Sequence, residues 1–237
     1  MMDPQADRQR RSRPRIIDTD WMVLRDLSRA VEHFASEHAR ADSVAVDFGC
    51  GNQPYRAIFE QRGLTYRGAD LGDAADIAIL PDGQIRAPDA SADIVLSFQV
   101  LEHVRDLDTY LAEAMRLLRP GGQLLLSTHG TWLYHPHPED HRRWTRTGLI
   151  HDLEARGWVV DQCQSIVGPL AWTTLIRLTG YCFALRKLPL LGRPIAAMLA
   201  ALMNCRAVIE DAVTPHGIKH DNGCVYLLRA RPASEAA

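Results

Sequence analysis

The chain has 237 residues, 46% of them apolar and 24% charged, a globular composition with enough length to bury one substantial core. Its 27 basic and 29 acidic residues leave a formal net charge of −2, which argues against a dedicated nucleic-acid binder, whose footprint would be a basic excess. Five scattered cysteines with no C-x-x-C pair, and an N-terminus with no apolar stretch, speak against a disulfide framework, a zinc site and a secretory leader, and fit a reducing, cytoplasmic compartment.

In chain order, residues 1–15 carry Arg8, Arg10, Arg11, Arg13 and Arg15 among polar residues and two prolines. They read as a disordered, arginine-rich tail, because they have nothing to bury. Residues 16–237 read as one domain. From Trp21 a helix is expected, since Trp21, Leu24, Leu27, Ala30, Val31 and Phe34 recur at three- and four-residue steps. Val44 to Phe48 is a short apolar run ending in Gly-Cys-Gly and suits a buried parallel strand. Pro54 to Gln61 predicts a helix with proline in its first turn and Gly63 beyond its end.

Strands are expected at Tyr66 to Asp70, Ile77 to Leu80 and Ile94 to Phe98, then a helix from Asp108 to Leu118. Pro120-Gly121-Gly122 stops that helix and Gln123 to Thr128 forms the fifth strand. Thr147 caps a short helix to Arg156, and Trp158 to Gln162 and Cys224 to Arg229 are two late strands. Strands alternating with helices indicate a parallel α/β sheet with helices on both faces. Between the late strands, about 168–222 is too long for a simple connection. It is strongly apolar, has no Asp or Glu from Gln162 to Ile209, and keeps Arg177, Arg186, Lys187, Arg193 and Arg206. Two or three helices are expected there. They could act as a lid over an acceptor, as a dimerisation or core-covering element, or as a basic apolar surface resting on a membrane.

The informative stretch is Val44-Ala45-Val46-Asp47-Phe48-Gly49-Cys50-Gly51-Asn52-Gln53-Pro54. A strand entering a glycine turn and then a helix sets backbone N–H groups beside a ligand. The dinucleotide fingerprint wants a third glycine where Pro54 stands, which disfavours a nicotinamide or nucleotide-sugar enzyme. Asp47, just before the glycines, would repel a pyrophosphate and attract a cation. Asp70 follows Gly51 by 19 residues, the offset of an acid that accepts from a ribose diol. Turn glycines and capping acids are the bland alternative for each residue alone. Together they ask for a nucleoside carrying a positive charge and no diphosphate, and S-adenosylmethionine has those parts.

VAVDFGCG with YRGAD, then DIVLSFQVLEHV, then AEAMRLLRPGGQLLLSTHG resembles the class I S-adenosylmethionine-dependent methyltransferases over about residues 20–165. The likeness is to the branch that methylates quinones, sugars and other small acceptors. It implies a Rossmann-like fold with a seven-stranded, mostly parallel sheet and an antiparallel last strand. It also implies that Asp47, Phe48, Gly49, Cys50 and Gly51 line the methionine and sulfonium side of the cofactor, with Cys50 a small filler. Asp70 would take the ribose hydroxyls, Leu71 the adenine face, and Asp82 and Gly83 the adenine edge, although Leu80-Pro81-Asp82-Gly83 departs from the usual pattern. Phe98, Gln99 and Val100 would face the cofactor. Glu102 and His103 would begin the next helix, His103 in an orienting or packing role.

After the fifth strand, four histidines (129, 135, 137 and 141) fall within 13 residues, among two tryptophans, a tyrosine and two arginines. A histidine titrates in the range useful to a general base for an oxygen acceptor. His129 or His137 is the expected base, with Tyr134, Asp140 and Arg143 positioning the acceptor. The competing reading makes Asp140 and Arg143 a loop-stapling ion pair and the histidines surface residues. His135, His137, Asp140 and His141 match no common zinc spacing, so no metal is expected. HPEDHRRWT resembles a segment of methyltransferases associated with surface-polysaccharide and glycan modification. The sequence therefore points to methyl transfer to a small-molecule or glycan acceptor, with O-methylation favoured. The alternatives are N- or C-methylation of another metabolite, or a non-catalytic S-adenosylmethionine-binding scaffold.

Overall fold

The computed structural model describes residues 4–71, 75–136 and 139–233. Seven strands form one sheet: β1 Val44–Phe48, β2 Thr65–Asp70, β3 Ile77–Ala78, β4 Ala92–Phe98, β5 Leu118–His129, β6 Trp158–Ile166 and β7 Val225–Pro232. Their order is β3-β2-β1-β4-β5-β7-β6. The first five run parallel, and β7 lies antiparallel between β5 and β6. Strand order therefore reverses direction between β1 and β4, and a crevice opens beyond their carboxyl ends, where open α/β sheets bind ligands.

Alternation along the strands separates two cores. Ala45, Ile94, Leu96 and Phe98 face α2 (Trp21–His38), which contributes Met22, Leu27, Val31 and Phe34. Val46, Phe48, Val95 and Leu124 face α4 (Leu107–Leu117) and α5 (Arg146–Glu154). The sequence period of two in the strands and three to four in α2 is the direct cause of this division. Between β1 and β2, α3 is a single short helix, Arg56–Glu60.

Several boundaries differ from expectation. The arm at residues 1–15 contains a helix, α1 (Pro4–Ser12), with Arg10 paired to Asp20 and Ser12 Oγ donating to the Arg8 carbonyl at 2.9 Å, so it is not wholly unstructured. The fifth strand starts at Leu118 rather than Gln123, because Leu118 already pairs with Ala92 and an irregularity before Ile94 absorbs the offset. Thr145, not Thr147, caps α5, its Oγ1 accepting from Gly148 N at 3.1 Å. β6 runs four residues past Gln162 because β7 pairs with it as far as Ile166.

The stretch after β6 folds as three helices: α6 Pro169–Leu185, α7 Gly192–Val213 and α8 His216–Asp221. Ala171, Leu175, Leu178 and Cys182 of α6 join Ala196, Ala200 and Ala207 of α7 in the core that α2 shares. Small residues let these helices approach closely, and the inner side of the insertion thus covers one sheet face. Asn204, fully buried on α7, donates from Nδ2 to the Ile16 carbonyl at 2.7 Å and the Asp18 carbonyl at 2.9 Å. The insertion therefore fixes the chain entering α2. Asn204→Ala removes both bonds from a buried site and is expected to lower unfolding stability by roughly 2–4 kcal/mol in urea titration. A change below about 0.5 kcal/mol would contradict that anchoring role.

Candidate active site

β1 ends at Phe48, and the chain turns through Gly49 (φ +83°) and Gly51 (φ +49°). A Cβ on Gly49 would lie 2.6 Å from Val100 Cγ1, so glycine is required there by both backbone and space. Gly49 N and Cys50 N donate to the Ala69 carbonyl at 2.8 and 3.1 Å. Asp70 closes the turn from the other side. Its Oδ2 accepts from Gly51 N at 2.6 Å and its Oδ1 from Leu71 N at 2.7 Å. The two strand-end segments predicted from spacing are thus joined by direct hydrogen bonds.

Asp47 sits beneath this turn and is 2% exposed. Its Oδ2 accepts from the Tyr66 hydroxyl, while its Oδ1 is buried without a partner. Burial pushes the carboxyl up to about 7, against the opposing effects of the Tyr66 hydrogen bond and the Arg11 charge. The Tyr55 hydroxyl is likewise buried and unpartnered, and burial pushes it up to about 12, again against Arg11. Arg11 of α1 therefore acts on both groups, a relation no spacing in the sequence reveals. Two orphaned buried polar atoms under a glycine cradle are an incomplete hydrogen-bonding set. A cationic nucleoside fits it: Asp47 offers a carboxylate oxygen to the positive end and the turn offers close backbone approach.

The wall opposite comes from the end of β4. Gln99 adopts φ +58° and donates from its backbone N to the Ser127 carbonyl at 2.9 Å, which carries Val100 back against Gly49. Phe98 is buried edge-to-face with Tyr55, at 4.7 Å between ring centroids. Cys50 is buried, and its thiol is pushed up to about 12 by burial and the Asp47 charge, which suits a filler and not a nucleophile. Leu71 is 68% exposed. Asp82 and Gly83 form a turn in which Gln84 N donates to Asp82 Oδ1 at 3.1 Å and Gly83 N to the Leu80 carbonyl at 2.9 Å.

At the end of β5, His129 is 6% exposed and faces Glu102, which is fully buried in a single 3₁₀ turn, Leu101–His103. Glu102 Oε2 accepts from Thr128 Oγ1 at 2.8 Å, and Oε1 lies 3.5 Å from His129 Nδ1. Burial moves both groups toward their uncharged forms. The Glu102 carboxyl is raised, and His129 is held well below the usual imidazole range, helped by the charges of His135 and Arg143. His135 packs edge-on against His129 at 4.7 Å and Trp132 stacks beside it at 6.4 Å.

The following loop is stapled by charge. Arg143 grips Asp140 with both Nη atoms, the second at 2.7 Å, and Arg143 Nη2 also donates to the Leu133 carbonyl at 2.8 Å. Asp140 also accepts from His135 N at 2.9 Å, and Arg143 holds its carboxyl well below the usual range. Arg105 and Glu139 make a second two-pronged pair at 2.6 and 2.8 Å. Asp140 and Arg143 thus form the loop-stapling ion pair of the competing reading, although His129 is not the surface residue which that reading expects. Tyr134 projects, 74% exposed. His137 lies outside the described residues. Among the described residues, Glu102, His103 and His135 bring ligand atoms within 4.8 Å of one another, a spacing that could hold a metal ion. Their present contacts, Glu102 to Thr128 and His103 Nδ1 to the Glu139 carbonyl, account for the grouping as loop packing.

A methyltransferase-domain family model matches residues 20–181, about two thirds of the chain. The chain belongs to that methyltransferase family. Among its relatives, a ubiquinone biosynthesis O-methyltransferase of Pseudomonas syringae pv. tomato is 29% identical over 128 residues, covering 47% of this chain and 55% of that protein. A protein of Mycolicibacterium smegmatis named as an S-adenosylmethionine-dependent methyltransferase is 36% identical over 84 residues, 33% of each chain. The chain thus spans a third to about half the length of these curated relatives. The fold is shared with the Burkholderia thailandensis 1,6-didemethyltoxoflavin-N1-methyltransferase, at TM-score 0.54 and 16% identity over 98% of this chain and 91% of that one. It is shared too with the [4+2]-cyclase SpnF, at TM-score 0.55 and 16% identity over 86% and 80%.

Sequence reasoning placed none of Tyr55, Tyr66 and Arg11 near Asp47. Tyr55 follows Pro54 at the start of an expected helix, Tyr66 opens an expected strand, and Arg11 lies in a segment that reads as solvated arm. Glu102 carried one visible signal, a carboxylate between the apolar residues Leu101 and Val104.

Proposed function

We propose that this domain transfers a methyl group from S-adenosylmethionine to an oxygen atom of a small-molecule or glycan acceptor, with His129 as general base. When bound, S-adenosylmethionine supplies a sulfonium methyl group that needs alignment more than activation. Asp47 would face its positive end, Asp70 its ribose hydroxyls, and Gln99 and Val100 would form the wall beyond Gly49. Of the two candidate bases, His129 lies among the described residues, and its surroundings support the role. Burial favours its uncharged form, which can accept a proton, and Glu102 behind Nδ1 orients the ring. The acceptor's hydroxyl proton would pass to His129 as its oxygen takes the methyl group. Asp140 and Arg143 shape the loop above. The O-methyltransferase relatives are consistent with an oxygen acceptor.

The carrying observation is the buried His129–Glu102 pair at the carboxyl end of β5, two strands from the glycine turn. An acceptor screen with S-adenosylmethionine and mass detection, run on hydroxylated aromatics, quinols and glycans, tests the reading. Separately, Asp70→Ala is expected to weaken S-adenosylhomocysteine binding in calorimetry at least tenfold, because it loses the ribose acceptor and the staple of the turn together. Absence of any binding by the parent chain would refute the reading outright.

A further inference from the structure

The outer side of the α6–α7 hairpin is apolar where a soluble surface should be polar. At its turn Leu190 is 97% exposed, with φ +60°, and Phe183, near the end of α6, is 65% exposed. Along α7, Met198 and Leu202 are 61% and 63% exposed, and Ile195 and Ile209 continue the same stripe at three- to seven-residue steps. The opposite side of α7 is already buried through Ala196, Ala200 and Ala207. Residues 195–203 are almost unbrokenly apolar, so the helix is hydrophobic nearly all round yet covered on one side only. No helix among the described residues is long and apolar enough to cross a membrane.

Charge decides what could cover this face. From Cys163 to Ile209 there is no Asp or Glu, while Arg177, Arg186, Lys187, Arg193 and Arg206 are all exposed. One of the two lysines of the chain, Lys187, lies 4.5 Å over the Phe183 ring, its ammonium beside the apolar tip. A second copy of the same hairpin, meeting it turn to turn, would set cations against cations. A sheet of negative headgroups over acyl chains complements both features at once, with apolar side chains below the headgroup level and cations among them.

We propose that the α6–α7 hairpin is a membrane-surface docking element that rests on anionic phospholipid, with Phe183, Leu188, Leu190 and Leu191 entering the interface and Arg186, Lys187 and Arg193 held at the headgroups. The inference stands apart from the methyl-transfer reading, since none of these residues belongs to the cofactor or base machinery.

Flotation of the full chain with phosphatidylcholine vesicles, with and without phosphatidylglycerol, tests it near physiological salt. The expected result is flotation with the anionic vesicles and roughly tenfold or greater weakening with the neutral ones. Leu190→Glu with Leu191→Glu should abolish flotation, and Arg186→Glu with Lys187→Glu should weaken it by a similar factor. Both variants change only exposed side chains, so their melting temperatures should match the parent. Failure of the parent to float with anionic vesicles would overturn the proposal. So would flotation that survives both double substitutions, or light scattering that shows a stable dimer dispersed by Leu202→Glu.

Discussion

At pH 8, Asp47→Asn is expected to melt at a higher temperature than the parent and yet to bind S-adenosylmethionine at least 100-fold more weakly. Both effects come from one buried carboxyl. In the folded chain it ionises near 7 because burial disfavours its charge, whereas an unfolded aspartate ionises near 3.9. A carboxyl with a raised folded value stabilises the fold fully only below its unfolded value. Stability is lost as pH rises from about 4 to about 7, and the loss is complete above 7. Three units correspond to about 4 kcal/mol at most. Asparagine keeps an acceptor for the Tyr66 hydroxyl and removes the charge. For a chain of this size the recovered stability corresponds to a rise on the order of 10 °C at pH 8 and none below pH 4.

The cofactor would set a positive group beside the unpartnered Oδ1 of Asp47. Binding therefore favours the ionised form, so affinity in the parent should rise as pH increases through 7. Calorimetry in buffers of different ionisation heat should detect the proton released. An Asn variant that binds as tightly as the parent, or binding without proton release at pH 6.5, would remove Asp47 from the cofactor's positive end.

The same residue shows where sequence reading succeeds and where it stops. Asp47, Gly49, Gly51 and Asp70 were legible because a strand end, a glycine turn and a second strand end are local features with fixed offsets. The structure adds that Asp70 holds the turn through two backbone N–H groups. Tyr66, the hydroxyl partner of Asp47, was not legible as such. It pairs across strands, and its place depends on β1–β2 register, with Ala45 opposite Tyr66. Glu102 and His129 are 27 residues apart and meet only because β5 lies beside β4. The Asp140–Arg143 ion pair was visible only as the alternative to an acceptor-positioning role, because an i,i+3 charge pair is local and says nothing of what lies above it. The outer face of α7 was visible only as composition, since nothing in the run Ile195–Met203 says which side the core will take.

His129→Ala is expected to lower kcat at least 100-fold, the usual scale for losing a positioned base, while leaving S-adenosylhomocysteine affinity within a fewfold of the parent. The separation matters because His129 lies at the end of β5 and the cofactor cradle lies at the ends of β1 and β2. Burial holds the imidazole uncharged well below its ordinary range, so kcat/KM in the parent should show no fall attributable to His129 between pH 8 and pH 6. An exposed histidine base would lose activity through 6.5. Glu102→Gln should keep the Thr128 hydrogen bond and the fold, yet lower kcat about tenfold, because the ring loses the carboxyl group that orients Nδ1. Full activity in His129→Ala would show that the acceptor gives up its proton elsewhere. Parent-like kcat in Glu102→Gln, alongside a severe loss in His129→Ala, would leave His129 as the base and reduce Glu102 to a packing group. Cofactor affinity distinguishes these outcomes from simple damage to the loop, since damage would weaken S-adenosylhomocysteine binding along with kcat.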